Sequence, residues 1–123
     1  SVSRTLEYVL KKLGFIYKIV SRSPTKNMLG YQELKQHIQD YRLIINTTPL
    51  GQYPYINSYP DIPYQLLSSE HYCIDLIYNP KKTTFLKKSE NQNSKTINGL
   101  DMLISQAEAA WEIWLKMIEI HNV

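Results

Sequence analysis

Apolar residues along the chain follow two rhythms, one helical and one typical of buried strands. Val2, Leu6, Val9, Leu10 and Leu13 recur on one helical face, and Gly14 stands where a helix stops most easily. FIYKIV, at 15–20, is rich in aromatic and β-branched residues and predicts a strand. SRSPTK reads as a turn, and YQELKQHIQDY, at 31–41, as a short, mostly polar helix. RLIIN predicts the next strand. A long loop rich in Tyr and Pro follows, within which DIPYQLL predicts a short helical turn. HYCIDLIYN, at 71–79, predicts another strand, ended by Pro80. TTFLKKSENQ then predicts an amphipathic helix and KTIN a short strand. Gly99 predicts the start of a helix that runs to about Ile120.

Strands therefore alternate with helices, and the strands are continuous apolar runs. Such runs belong to a parallel sheet covered on both faces. The expected class is α/β, a Rossmann-like three-layer sandwich with a mostly parallel sheet joined by right-handed crossovers. In that architecture a first strand and a glycine-rich phosphate loop precede the first helix. This sequence opens on SVSRTLEYVLKKLG, already at the helix, so that strand and that loop are expected to be missing from the chain.

Composition narrows the function classes. At 123 residues the chain fits one domain, and 43% hydrophobic residues supply a real core. The net charge of +3 is mild and scattered, with doublets at Lys11-Lys12, Lys81-Lys82 and Lys87-Lys88, so no nucleic-acid partner is expected. A small anion, such as one phosphate, needs only one or two cations. The single cysteine, Cys73, excludes an internal disulfide and lies in an apolar stretch, which fits a reducing, cytoplasmic setting. No apolar run approaches membrane-spanning length, so no membrane partner is expected either. His37, His71 and His121 are far apart and lack metal-ligand spacing, so no metal is expected. Asp61, Asp101 and Glu108 have no evident partner for acid–base work, and Asp75 reads as a residue that orients its strand-end loop, with contact to a substrate as the alternative.

Three stretches carry candidate chemistry. The first is SRSPTK, after the strand that in a dinucleotide fold reads the adenosine ribose. An acidic residue there takes the 2′-hydroxyl of NAD, whereas an arginine accommodates the 2′-phosphate of NADP. Here Ser21 and Arg22 occupy the position, Lys26 lies four residues beyond Arg22, and no carboxylate appears before Glu33. The second is INTTPLG, at 45–51, a hydroxyl-rich loop at the carboxyl end of a strand, where ligands of open α/β sheets sit; Thr47 and Thr48 are its candidates. The third is the face formed by Gly99, Met102 and Gln106, where a glycine admits a flat ring, a methionine walls it and a glutamine offers both donor and acceptor. A solvated turn, an ordinary loop and a plain core face are the competing readings of the three.

INTTPLG, CIDLIYNP, TFL and TINGLDMLISQAEAAWEIW, in this order, resemble the C-terminal, NADP-binding half of shikimate dehydrogenase. The most specific piece is G-x-x-M-L-x-x-Q-A, from Gly99 to Ala107, supported by D-x-x-Y from Asp75 to Tyr78. The resemblance implies that Arg22 and Lys26, beside Ser21, hold the 2′-phosphate. It places Thr47, Thr48 and Leu76 along the cofactor and Gly99 and Met102 beside the nicotinamide. Tyr78 and Gln106 would reach shikimate. The family's catalytic lysine–aspartate pair would lie in an N-terminal domain outside residues 1–123, so no catalytic residue is expected within them. The implied activity is NADP-dependent interconversion of 3-dehydroshikimate and shikimate, with a homodimer as the candidate assembly. Two alternatives stay open: a non-catalytic dinucleotide-binding module, and a quinate/shikimate dehydrogenase that uses NAD. The family pattern Asn-Arg-Thr with a later arginine is here Ser21-Arg22-Ser23 with Lys26, and a lysine is a point charge rather than a fork.

Overall fold

A computed structural model describes residues 2–99 together with Ser105 and Ala109. The chain starts with helix α1 (Val2–Lys12), which stops at Gly14, whose φ of +79° is the left-handed conformation glycine accepts without strain. Leu6 and Leu10 are half-buried, whereas Val9 and Leu13 stay exposed, so the apolar face of α1 is covered along only part of its width.

Five short strands follow in two parallel sheets. Strand β1 (Ile19–Ser21) pairs with β2 (Met28–Gly30). Strand β4 (Tyr72–Asp75) lies between β3 (Leu43–Asn46) and β5 (Lys95–Asn98). The register aligns Ile45, Ile74 and Ile97 across the second sheet and, one step on, Asn46, Asp75 and Asn98. That last row is polar and buried, and it marks the carboxyl edge of the sheet.

Helix α2 (Thr84–Glu90) packs on this sheet through Phe85, Leu86 and Ser89. Thr83 caps it, its side chain accepting a hydrogen bond from the Leu86 amide. Phe85 and Leu86 join Ile38, Leu34, Leu29, Ile62, Leu67 and Cys73 in the core, and Tyr64 meets the Phe85 ring edge-on with centroids 6.3 Å apart. His71 is buried as well: its Nδ1 accepts from the Ser68 amide and its Nε2 faces the Ile38 carbonyl, an arrangement satisfied by a ring protonated on Nε2. It is a structural histidine.

Four expectations need correction. The first expected strand shrinks to Ile19–Ser21, and Phe15 and Ile16 are exposed. Met28–Gly30, to which the sequence pattern assigns no element, is a strand; three residues are too few for any period to show. The helix expected over 31–41 is two 3-10 turns, Leu34–Gln36 and Ile38–Asp40, broken at His37 with φ −122°. Leu34 and Ile38 are the buried residues of this stretch, Tyr31 packs against the core half-buried, and Glu33 is engaged backwards, its Oε1 accepting from the Gly30 amide. Strand β4 ends at Asp75 rather than at Pro80, because the Asp75 carboxylate accepts from the Ile77 amide and turns the chain.

Strands β1 and β3 are not hydrogen-bonded to each other. A cavity of about 670 Å³ has residues of both in its wall, including Val20, Ile44 and Ile45, with Leu6, Leu10 and Phe85. In a doubly wound sheet of order 3-2-1-4-5-6, the pair β2–β1 and the trio β3–β4–β5 would flank the first strand.

Candidate functional site

The carboxyl edge of the β3–β4–β5 sheet is knitted together by its loops. The Leu76 amide donates to the Asn46 carbonyl at 3.3 Å, and the Gly99 amide donates to the Ile77 carbonyl at 3.3 Å. The ends of all three strands are thus linked, and with them Thr47, Thr48, Leu76, Tyr78 and Gly99.

The loop after β3 owes its shape to Asn46. The Asn46 Oδ1 accepts from the Thr48 amide at 3.0 Å and from Thr48 Oγ1 at 2.7 Å. Thr48 Oγ1 in turn accepts from the Leu50 amide at 3.2 Å, so Thr48 turns its hydroxyl inwards to shape the loop. Pro49 and Leu50 lead into Gly51, whose φ is +101° and whose amide donates to Ser58 Oγ at 2.8 Å. A Cβ at Gly51 would also lie 3.2 Å from the Ser58 carbonyl oxygen, so glycine is required twice over. Thr47 and Thr48 line the large cavity together with Ile19 and Val20.

Asp75 stands at the centre of this edge, fully buried. Its Oδ1 accepts from Asn46 Nδ2 at 3.2 Å and from the Ile77 amide at 3.0 Å; its Oδ2 accepts from Thr83 Oγ1 at 2.6 Å. Burial raises its pKa above the ordinary carboxylate value, and the bonds from Thr83, Ile77 and Asn46 oppose the rise. Asn46 and Thr83 had no place among the sequence-based candidates. The signal for Asn46 was a polar residue closing an apolar run, and for Thr83 a threonine standing just before an amphipathic helix.

Gly99 has a local reason to be glycine. A Cβ there would run into the Leu76 carbonyl oxygen and lie 2.8 Å from the Leu76 carbonyl carbon. The loop after β4 packs against the side of Gly99 where a side chain would stand. Tyr78 is largely exposed, and the loop that carries it accepts from the Tyr53 amide at the Asn79 carbonyl. Met102 and Gln106 lie outside the described residues.

The basic turn closes differently. Ser21 Oγ accepts from the Ser23 amide at 3.1 Å, Met28 donates from its amide to the Thr25 carbonyl, and Asn27 takes φ +73°. Arg22 and Lys26 are exposed on it, and among the described residues neither forms an ion pair. Arg22 is close enough to oppose the rise that burial imposes on the Tyr31 phenol pKa. The described residues contain no group of three or more His, Cys, Asp or Glu able to hold a metal, and none of their helices is long and apolar enough to cross a membrane.

The chain is 40% identical over 106 residues to the NADP(+)-dependent shikimate dehydrogenase of Methanococcus maripaludis, a match covering 85% of this chain and 38% of that protein. The chain is related to the shikimate dehydrogenases. Among solved structures, a shikimate dehydrogenase in complex with NADP+ is 43% identical with a TM-score of 0.55, over 66% of this chain and 28% of that one. A chorismate mutase/shikimate 5-dehydrogenase fusion protein from Clostridium acetobutylicum is 35% identical with a TM-score of 0.69, over 94% of this chain and 43% of that one. No protein-family model matches the chain. The chain spans about two fifths of the length of the curated shikimate dehydrogenase from Methanococcus maripaludis.

Proposed function

We propose that residues 1–123 are the NADP-binding, C-terminal part of a shikimate dehydrogenase that interconverts 3-dehydroshikimate and shikimate. The observation that carries this reading is the turn after β1, which offers Arg22 and Lys26 without a carboxylate partner among the described residues. A free guanidinium there suits a 2′-phosphate, and a neighbouring ammonium adds charge. Support comes from a relative named for NADP(+) and from a similar structure solved with NADP+.

NADP supplies the hydride acceptor when bound. The chain's own part is to hold and orient it. Arg22 and Lys26, with Ser21, grip the phosphate end. Thr47 and Leu76 border the body of the cofactor at the linked strand ends, with Thr48 setting the loop. By the resemblance, Gly99 and Met102 would serve the nicotinamide, and Tyr78 and Gln106 would serve shikimate. Proton transfer to and from the substrate hydroxyl falls to an N-terminal domain outside these residues.

The test is NADPH formation from shikimate, followed by absorbance, with the full-length protein and with the purified 123-residue chain. Turnover by the full-length protein and none by the chain is expected. Preference for quinate and NAD favours the related dehydrogenase. Absence of turnover by the full-length protein on either substrate favours a non-catalytic module. Turnover by the chain alone contradicts the division of labour.

A further inference from the structure

Buried carboxylates in proteins are normally matched by a cation, because burying a charge is costly and only pairing or several hydrogen bonds offset it. Asp75 is fully buried, and among the described residues it forms no ion pair. Its oxygens are held instead by three donors from three different segments: Asn46 at the end of β3, the Ile77 amide after β4, and Thr83 at the start of α2. Each donor has a second task. Asn46 also holds Thr48 through Oδ1, and its Nδ2 reaches the Leu50 carbonyl at 3.5 Å. Thr83 caps α2 through the Leu86 amide. Ile77 provides the carbonyl that receives the Gly99 amide. None of these bonds belongs to the strand ladder.

From this geometry we propose that Asp75 is a positioning residue: acting through Asn46, Ile77 and Thr83, it locks the loops after β3 and β4 into one arrangement at the carboxyl edge. Its relevance to NADP rests on the function proposed above, whereas the locking of the loops does not. An aspartate suits the position because all three neighbours donate. Asn46 uses its amide nitrogen, Ile77 its backbone N–H, and Thr83 its single hydroxyl proton, while the Thr83 oxygen accepts from the Leu86 amide. An asparagine keeps an acceptor for the first two but turns an NH₂ towards Thr83, leaving the threonine proton without a partner. Because its effects run through other residues, Asp75 is not assigned a catalytic role.

The experiment is amide hydrogen exchange on the full-length protein without nucleotide, comparing wild type, Asp75→Asn, Thr83→Val and Thr83→Ser. In Asp75→Asn and in Thr83→Val the Thr48 and Ile77 amides should exchange about tenfold faster, the effect of losing one such bond, while Cys73 and Ile74 within β4 stay protected. Thr83→Ser keeps the hydroxyl and should restore wild-type exchange. Unchanged rates at Thr48 and Ile77, or a uniform rise at all four amides, overturns the proposal, since a merely stabilising residue loosens everything together. Should Asp75→Asn fail to fold, Thr83→Val decides by the same criterion. NADP and NAD affinities, measured on the same proteins, should fall together. A wild-type protein that binds neither nucleotide counts against the cofactor reading and leaves the exchange result to judge Asp75.

Discussion

In the β3–β4–β5 sheet each strand has four residues, the register is continuous, and the row Asn46–Asp75–Asn98 closes the edge. The β1–β2 sheet has strands of three residues joined through the short segment 22–27. It is preceded by Phe15 and Ile16, the latter 89% exposed, and it borders the large cavity. The first region draws its order from within: Asn46, Asp75 and Asn98 each bond to another segment of the chain. The second carries Arg22 and Lys26, exposed and, among the described residues, without an ion pair. The difference teaches that the shape of this edge and the proposed phosphate grip lie in different halves, so mutations should separate them.

The largest expected effect follows from the self-contained half. Phe85 is only 1% exposed and touches Tyr64, so Phe85→Ala should cost about 3–5 kcal/mol of stability by its lost transfer energy and the cavity it leaves. Ile16→Ser in the other half should change stability by no more than about 0.5 kcal/mol. Chemical denaturation of the 123-residue chain with each substitution measures both. Similar costs for the two would erase the contrast.

A smaller effect concerns pH. Asp75 has a folded pKa above its ordinary value of 3.8, mainly through burial. The native state therefore takes up that proton before the unfolded chain does, and the penalty of the charge is fully present above the raised folded value. As pH falls through that value towards 3.8, the penalty is relieved. Wild type should thus gain stability relative to Asp75→Asn on acidification. Glu90 works in the opposite direction: bonds from Thr96 and Lys82 hold its pKa below the ordinary 4.5, so its contribution is lost as pH falls below that. Denaturation midpoints of wild type and Asp75→Asn across a pH series isolate the Asp75 part, since Glu90 is common to both. A constant difference would mean that Asp75 does not titrate differently in the two states.

Much of the first region was legible in the sequence. LIIN, YCID and KTIN are apolar or β-branched runs that stop at a polar residue, and TFLKKSE shows its amphipathic face directly. The hub was harder to see. Asp75 could be read as a loop-orienting residue, but its partners Asn46 and Thr83 lie 29 and 8 positions away, and nothing local announces that parallel strands in register bring them together. The second region was less legible because its elements are short. Met28–Gly30 has no period of its own, and the polar stretch from 31 to 41 has helical spacing only at Leu34 and Ile38. Gly99 has a second reason to be glycine that the sequence did not announce: a Cβ there would meet the Leu76 carbonyl, a neighbour 23 positions earlier in the chain.

The central claim is that the turn after β1 selects a cofactor bearing a 2′-phosphate. The most direct measurement is the ratio of kcat/KM for NADP to that for NAD, in the full-length protein at fixed ionic strength, for wild type, Arg22→Ala and Lys26→Ala. A charge-assisted hydrogen bond to phosphate is worth about 1.5–3 kcal/mol, or roughly one to two powers of ten. Arg22→Ala should lower the ratio by about that factor and Lys26→Ala by less, while the denaturation midpoint stays unchanged because both side chains are exposed and, among the described residues, form no ion pair. A ratio unmoved by Arg22→Ala would contradict the account and leave SRSPTK an ordinary solvated turn.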